Sequence, residues 1–564
     1  MIRNPKFINM LIEQSILTTQ DSLNLSEKYQ GDAFEILLHL YRSGVAKKFV
    51  FGKLWGDSIG VSYVDLEKTL FQSQVVIALK ESFARKHLII PIYKIEDVVT
   101  VATAYPKKAD VLEQAEHLLQ YQVSPVFAFP DEIIDAIDIQ YQSGDSISGL
   151  LNTIADNEMF KGTSKITPEQ LEKLAGDKSI IDFSRSILLL AVKERASDIH
   201  IDPQEDIAFI RFRIDGVLHD RLKLDMTLFK PLSSRLKVMA NLDITERRKP
   251  QDGRIAVNLT NKSIDFRVST IPTIYGEKMV LRALGQILKD NVPDLSELDL
   301  LKSNYDKIQR IINAPNGVFF VTGPTGSGKS TTLFSVLQSL NKPDINIMTA
   351  EDPVEYRLPR INQVQVNPAI GFDFANALRS FLRQDPDVIL IGEIRDLETA
   401  KIASQAALTG HLVVTTMHTN SALQAVTRLV EIGVEPFLVA PSIIGVMGQR
   451  LVRRICNFCK EKYRVSSEEI EKYFIWDQKT EVSFYKGRGC SECNNTGYSG
   501  RLAIHEIFLL TEEIRAMIAR EASILDIDAI AKKSGFKTMR YDGMKKVLMG
   551  LTTIDEIERV TVED

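Results

Sequence analysis

Apolar positions near the start of the chain are spaced for helices. Leu11, Ile12, Ile16 and Leu17 predict a short helix, a turn and a second helix. A weak echo follows 29 residues on, where Leu40, Gly44 and Val45 match Leu11, Ser15 and Ile16. Two helical hairpins are expected there. From Lys86 the spacing shortens to that of strands, in Leu88–Tyr93 and Val98–Ala102. Helical stretches are expected over 111–122 and 131–141.

Polar, turn-rich sequence begins at Gln142. It sets a linker over 151–178 after a first domain of 1–150. The apolar spacing of Ile180–Glu194 predicts a helix. Ile207–Ile214 alternates at period two and ends at Asp215-Gly216, a hairpin signal. Ile264–Thr270 reads as another strand. These elements predict a mixed α/β domain over 179–288, with a link over 289–300. A helix over Leu300–Ile312 and a strand over Gly317–Thr322 open the next domain, 301–450. Its strand and helix signals alternate, as a parallel sheet with crossover helices requires. A cysteine-bearing module over 451–500 and a mostly helical region over 501–564 complete the expected organisation.

Composition narrows the class. Of 564 residues, 44% are hydrophobic and 25% charged, so a disordered chain is excluded. The net charge of -5 argues against a constitutive nucleic-acid binder. Apolar runs such as Ile187–Val192 fall far short of the roughly 20 residues of a spanning helix. No apolar segment follows the charged N-terminus, so no signal peptide is read. The expected location is the cytoplasm, with membrane contact through a partner or a surface.

The four cysteines form two Cys-x-x-Cys pairs, Cys456 with Cys459 and Cys490 with Cys493. In a reducing compartment this pattern reads as one structural Zn²⁺ site rather than disulfides. Four thiolates leave no open position for water, which makes the role structural.

The strongest chemical signal is Gly323, Pro324, Thr325, Gly326, Ser327, Gly328, Lys329, Ser330 and Thr331, between a strand and a helix. It fits the phosphate-binding loop of ATP-binding proteins. Backbone N–H groups and the helix N-terminus face the phosphates, Lys329 reaches the β/γ-phosphates, and Ser330 holds Mg²⁺. Two acids follow later strands. Glu393, after Val388–Ile391, is placed to act on Mg²⁺ or its waters. Glu351, after Ile345–Met348, is placed to align or deprotonate the attacking water. His411 and His418 flank the strand Leu412–Thr416, and spacing does not separate a γ-phosphate sensor from a structural histidine. Arg211 and Arg213 share one strand face, with Arg267 and Arg282 on or after other strands. They read either as solvated ion pairs or as arginine fingers in an oligomer.

These residues resemble the ATPases of type II secretion and type IV pilus assembly. The resemblance covers nearly all of the chain after residue 180. Thr349-Ala-Glu-Asp-Pro-Val-Glu355 resembles the family's Asp box. Asp385–Asp396 resembles its atypical Walker B, with Glu393 in the usual aspartate place. Thr409–Asn420 resembles its His box. Ala196–His200, Arg211–Gly216, Pro250–Arg254 and Asp265–Thr270 resemble its PAS-like N2 domain, and Gln449–Cys456 leads into its zinc module. The resemblance implies a homohexamer with a RecA-like core, active sites at the joints between N2 and that core, and domain rotation driven by ATP. It implies catalytic roles for Glu351, Glu393, Lys329 and His418, and phosphate-sensing roles for Arg213, Arg267 and Arg282. It also implies an inner-membrane platform protein, and a cytoplasmic ring or adaptor at the N-terminal domain. The long N-terminal region and four cysteines resemble the assembly branch. Pilus assembly is preferred over type II secretion on the length of that region. A nucleotide-gated DNA-translocating protein is the alternative of another class.

Some relatives bind cyclic di-GMP through an N-terminal repeat opening with Arg-Leu-Gly. The matching stretches here, Lys6–Ser15 and Asp32–Gly44, lack it, and Ser15 replaces a glycine. The guanine-stacking guanidinium is therefore missing. Titration calorimetry with cyclic di-GMP is expected to show no binding, and micromolar affinity would overturn this reading.

Overall fold

The computed structural model describes residues 4–142, 174–260, 263–284, 292–474 and 482–561. Most of the linker expected over 151–178, and the start of that over 289–300, lie outside them. The chain divides into two compact units, Met1–Leu288 and Lys289–Asp564. No helix among the described residues is long and apolar enough to cross a membrane.

The first unit opens with four helices, Pro5–Glu13, Thr19–Lys28, Ala33–Ser43 and Lys48–Ile59. Asn4, Thr18 and Asp32 cap the first three, accepting backbone N–H groups that the helix leaves unpaired. Phe7, Leu11, Ile36, Leu37 and Phe51 bury their shared face. Ile16 and Leu17 belong to the turn between the first two helices. Ser15 and Gly44, matched in the sequence echo, both take left-handed backbone at helix ends (φ 56° and 70°).

A three-stranded sheet follows, with β1 (Ile89–Ile95), β2 (Val98–Thr103) and β3 (Gln122–Phe127) in the order β1-β2-β3. Residue 122, expected to be helical, starts β3 instead; the helix stops at Leu119, where Gln120 turns left-handed. Only Phe127 of β3 is buried, so the strand carries no apolar period and its pairing with β2 creates it.

Six antiparallel strands form the second sheet: β4 (Asp198–Pro203), β5 (Ile207–Ile214), β6 (Val217–Asp225), β7 (Gln251–Asn258), β8 (Ser263–Thr273) and β9 (Gly276–Leu284). Their order is β6-β5-β4-β9-β8-β7. Asp215 and Gly216 both have positive φ, which makes the tight β5–β6 turn. One face packs Ile199, Phe212, Phe266, Val268 and Leu281 into a core that includes the helices Lys178–Lys193 and Met226–Met239. The period of two leaves the alternate positions, the arginines among them, on the other face.

The second unit carries β10 (Gly317–Thr322), β11 (Ile347–Glu351), β12 (Asn362–Gln365), β13 (Val388–Ile391), β14 (Leu412–Met417) and β15 (Ile443–Ile455). A two-stranded ribbon, β16 (Lys460–Tyr463) with β17 (Phe484–Gly487), precedes β18 (Tyr498–Leu509). The main sheet runs β12-β11-β13-β14-β10-β15-β18, parallel except for β18. Val318 and Phe320 face one layer of helices, Phe319 and Val321 the other. Such two-sided burial explains why β10 reads as a continuous apolar run. The sheet does not end near residue 450. β15 continues to Ile455, and β18 returns beside it as far as Leu509, so the cysteine-bearing ribbon is an insertion between two paired strands. Helices Glu512–Ala519, Ile524–Lys533, Met539–Leu548 and Ile554–Val560 follow.

Candidate nucleotide site, arginine face and tetracysteine cluster

The C-terminal ends of β10, β14 and β13 lie side by side, the edge where open α/β sheets bind ligands. From β10 the chain enters the glycine loop, and helix Lys329–Leu340 starts at Gly328 (φ 87°). A Cβ on Gly323 would stand 2.5 Å from the Gln449 carbonyl oxygen, and one on Gly328 2.7 Å from Gln449 Nε2. Both positions therefore need glycine. Lys329 Nζ donates to the carbonyls of Gly323 (2.9 Å) and Pro324 (3.1 Å). Burial lowers its pKa, against the pull of Glu393. Ser330 is the second residue of the same helix, and Thr331 the third.

Two residues past β13, Glu393 pairs with Arg395 Nη2 at 2.5 Å and stands 3.5 Å from His418 Nε2. Burial, and then the positive charge of Lys329, lower the His418 pKa. The shift favours the neutral ring, in which one nitrogen donates and the other accepts. His411 lies at the other end of β14, its Nδ1 2.9 Å from the Ala406 carbonyl oxygen. Strand direction thus separates two histidines that spacing could not.

Glu351 is the last residue of β11 rather than a residue after it. It is buried and accepts from Thr349 Oγ1 (2.6 Å) and Gln363 Nε2 (2.9 Å). Burial raises its pKa, which strengthens it as a proton acceptor. These two partners lie on β11 and β12, and β11 pairs with β13, so Glu351 ends its strand at the same sheet edge as Glu393.

Two contributors escaped the sequence reading. Arg395 is two residues from Glu393, and the signal was the charged tract itself. Gln449 has no local signal, because only β15 brings it to the loop.

The outward face of the six-stranded sheet carries an arginine row in one register. Arg213, Asp198, Arg282, Arg267 and Arg254 are successive cross-strand partners on β5, β4, β9, β8 and β7. Asp198 accepts from Arg282 Nε at 2.8 Å and stands 3.6 Å from Arg213 Nε. Arg254 pairs with Asp265. Arg267 is exposed and has no ion-pair partner among the described residues. Arg211, one row away, pairs with Asp202.

The four cysteine Sγ atoms all lie within 4.8 Å of one another. Cys456–Cys490 and Cys459–Cys493 are 3.8 Å apart and Cys490–Cys493 3.7 Å, too long for disulfides. A tetrahedral ion with bonds of about 2.3 Å sets sulfur pairs about 3.8 Å apart, so the donor set fits a metal ion. Burial works against a thiolate at Cys493, but N–H groups of Cys490 and Gly497 hold its pKa down at about 7. Gly487 and Gly497 touch backbone to backbone: a Cβ on Gly487 would fall 2.0 Å from the Gly497 oxygen.

A mainly parallel sheet, a glycine loop after a central strand, and an acid and a histidine at the neighbouring strand ends define a RecA-like protein of the ATPase class. Residues 173–559 match the family model described as type II/IV secretion system protein, and residues 59–147 match the MshEN domain. The type IV pilus assembly ATPase PilB of Pseudomonas aeruginosa is 38% identical over 557 residues, covering 98% of this chain and 97% of the relative. PilB of Myxococcus xanthus is 37% identical, over 98% of each chain. Type II secretion system protein E of Dickeya dadantii is 43% identical, over 86% of this chain and 97% of the relative. The chain belongs to the type II/IV secretion system protein family, whose ATPase members use ATP and Mg²⁺.

Proposed function

We propose that this protein is the ATPase that powers type IV pilus assembly, working as a homohexamer on an inner-membrane platform protein. One observation carries the choice of machine. The two pilus-assembly relatives align over 98% of this chain, N-terminal region included, whereas the type II secretion relative aligns over 86%. The higher identity of that relative, 43%, keeps type II secretion as the second reading.

In the proposed reaction, backbone N–H groups of Gly323–Thr331 and the Lys329 ammonium bind the phosphates of ATP. Ser330 and Glu393 hold Mg²⁺, which neutralises phosphate charge when bound. Water attacks the γ-phosphorus in line, the β,γ-bridging bond breaks, and Glu351 takes the proton of the attacking water. Glu393 orients neutral His418 toward the γ-phosphate, so loss of that group is felt at β13 and β14. The Arg213–Arg282–Arg267 row is proposed to sense phosphate in the assembled hexamer. Arg282 and Arg213 share Asp198, and Arg267 has no ion-pair partner among the described residues. Cys456, Cys459, Cys490 and Cys493 are proposed to hold a structural Zn²⁺. The protein is placed in the cytoplasm, peripheral to the inner membrane. Its N-terminal domain docks a cytoplasmic ring or adaptor protein rather than cyclic di-GMP, and no nucleic acid is expected.

Glu393→Gln removes the carboxylate charge and is expected to trap ATP-bound hexamers. Purified from native membranes, this variant should bring down a pilus platform protein and its cytoplasmic ring partner. A type II secretion platform and adaptor in their place would make the second reading the correct one. DNA-stimulated hydrolysis would favour the translocating protein.

A further inference from the structure

We propose that Gln449 is a positioning residue for ATP hydrolysis: its side-chain amide, carried on β15, holds the phosphate loop in its binding shape. The inference rests on the reading of Gly323–Thr331 as that loop.

Gln449 is 2% exposed, and its side chain makes two hydrogen bonds that bracket Gly328, Lys329, Ser330 and Thr331. Its Nε2 donates to the Ser327 carbonyl at 2.8 Å, and its Oε1 accepts from Thr332 Oγ1 at 2.7 Å. A primary amide offers a donor and an acceptor on adjacent atoms, so one side chain serves both ends of the turn. The loop also bears on Gln449 at two glycines, Gly323 against its carbonyl oxygen and Gly328 against Nε2.

Peptide geometry shows what this arrangement does. The Ser327 carbonyl and the Gly328 N–H belong to one planar trans peptide, so they point in opposite directions. Drawing the carbonyl toward β15 aims the N–H away from the sheet, to the side where the helix N-terminus receives an anion. Without the amide, that peptide is free to rotate, and the donor must be ordered at the moment of binding. The platform is firm: β15 pairs with β10 on one side and β18 on the other, with His505 directly across from Gln449.

The test uses the full chain, a fluorescent ATP analogue for affinity, steady-state hydrolysis and thermal melting. Gln449→Met keeps volume but neither bond. It is expected to weaken nucleotide binding and raise KM about tenfold, with kcat less affected and the melting temperature within a few degrees. Thr332→Val should weaken binding about threefold, and the double variant no more than Gln449→Met alone, since the two share one interaction. Gln449→Glu turns a carboxylate oxygen toward the Ser327 carbonyl. Its affinity relative to the unsubstituted protein should be lowest at pH 8 and recover toward pH 6. Burial raises the introduced acid's pKa, and the protonated form can donate again.

Unchanged affinity and KM in Gln449→Met, or losses that only follow a lower melting temperature, would overturn the proposal. So would Gln449→Glu without recovery at low pH. If Gln449→Met does not fold, unchanged affinity in Thr332→Val does the same. Lys329→Ala separates the two levels. If it also binds nucleotide normally, the phosphate-loop reading itself fails; if it alone loses binding, only the role of Gln449 does.

Discussion

Replacing Lys329 by alanine is expected to abolish ATP hydrolysis while leaving the protein folded. The ammonium is the only flexible cation that the loop itself supplies, and in the loose transition state charge spreads over the phosphoryl oxygens and builds on the leaving group. Loss of one such preorganised donor costs about 100- to 1,000-fold in kcat. Folding should not suffer, and the sign follows from the environment. Burial holds the folded-state pKa of Lys329 below its ordinary value. The charged form at neutral pH is therefore disfavoured by folding, and alanine removes that cost rather than adding one. Its two hydrogen bonds go to carbonyls of the loop and tie no other element. The measurement is steady-state hydrolysis beside a thermal melt of the same sample. A fall of less than tenfold in turnover, with the melt unchanged, would sink the assigned role.

Stripping metal from the tetracysteine cluster is expected to act first on stability. The cysteines close the far end of the β15–β18 hairpin, and the backbone there is stitched to its surroundings. Cys456 N–H donates to the Gly497 carbonyl, and Ile455 N–H to that of Leu551. Without an ion, four sulfurs within 4.8 Å lose the bonds that hold them together, and any thiolate among them repels the others. A loss of several kcal/mol in a unit of this size lowers the melting temperature by roughly 10 °C. Chelation, or Cys456→Ser and Cys490→Ser, should give this shift, with hydrolysis retained below the new melt. Hydrolysis lost at an unchanged melting temperature would mean that the metal serves turnover directly.

The strand, glycine loop and helix of Gly317–Leu340 were legible because their signals are local. Strand, glycines, lysine and helix follow one another; Gly323 and Gly328 answer contacts with Gln449, and Gly326 answers a left-handed backbone (φ 79°). The cysteine cluster was legible for a related reason: two short knuckles with no cysteine to spare admit few arrangements. The arginine face was half legible. A period of two puts Arg211 and Arg213 on one side of a strand. It does not reveal that Asp198 joins Arg213 to Arg282 while Arg211 turns to Asp202, since register between strands belongs to the sheet. The helix expected to reach residue 122 ended at Leu119 because pairing with β2 recruited Gln122–Phe127 as a strand. β18 stayed hidden behind the cysteine insertion.

By itself, the sequence determined a glycine loop with a lysine between strand and helix, acids at or just past the ends of apolar strands, a four-thiol cluster that fits a metal ion, and a protein of the secretion and pilus ATPase kind. Tertiary structure alone decided which of these groups meet. The ends of β10, β13 and β14 bring Lys329, Glu393 and His418 together, and send His411 to the opposite edge. β15 carries Gln449 to the loop, where an amide holds the Ser327 carbonyl. The physical reason is range. Backbone conformation and ligand spacing act over a few residues and are written in them. Hydrogen bonds across a sheet depend on strand order and register, which emerge only when every strand has found its neighbour.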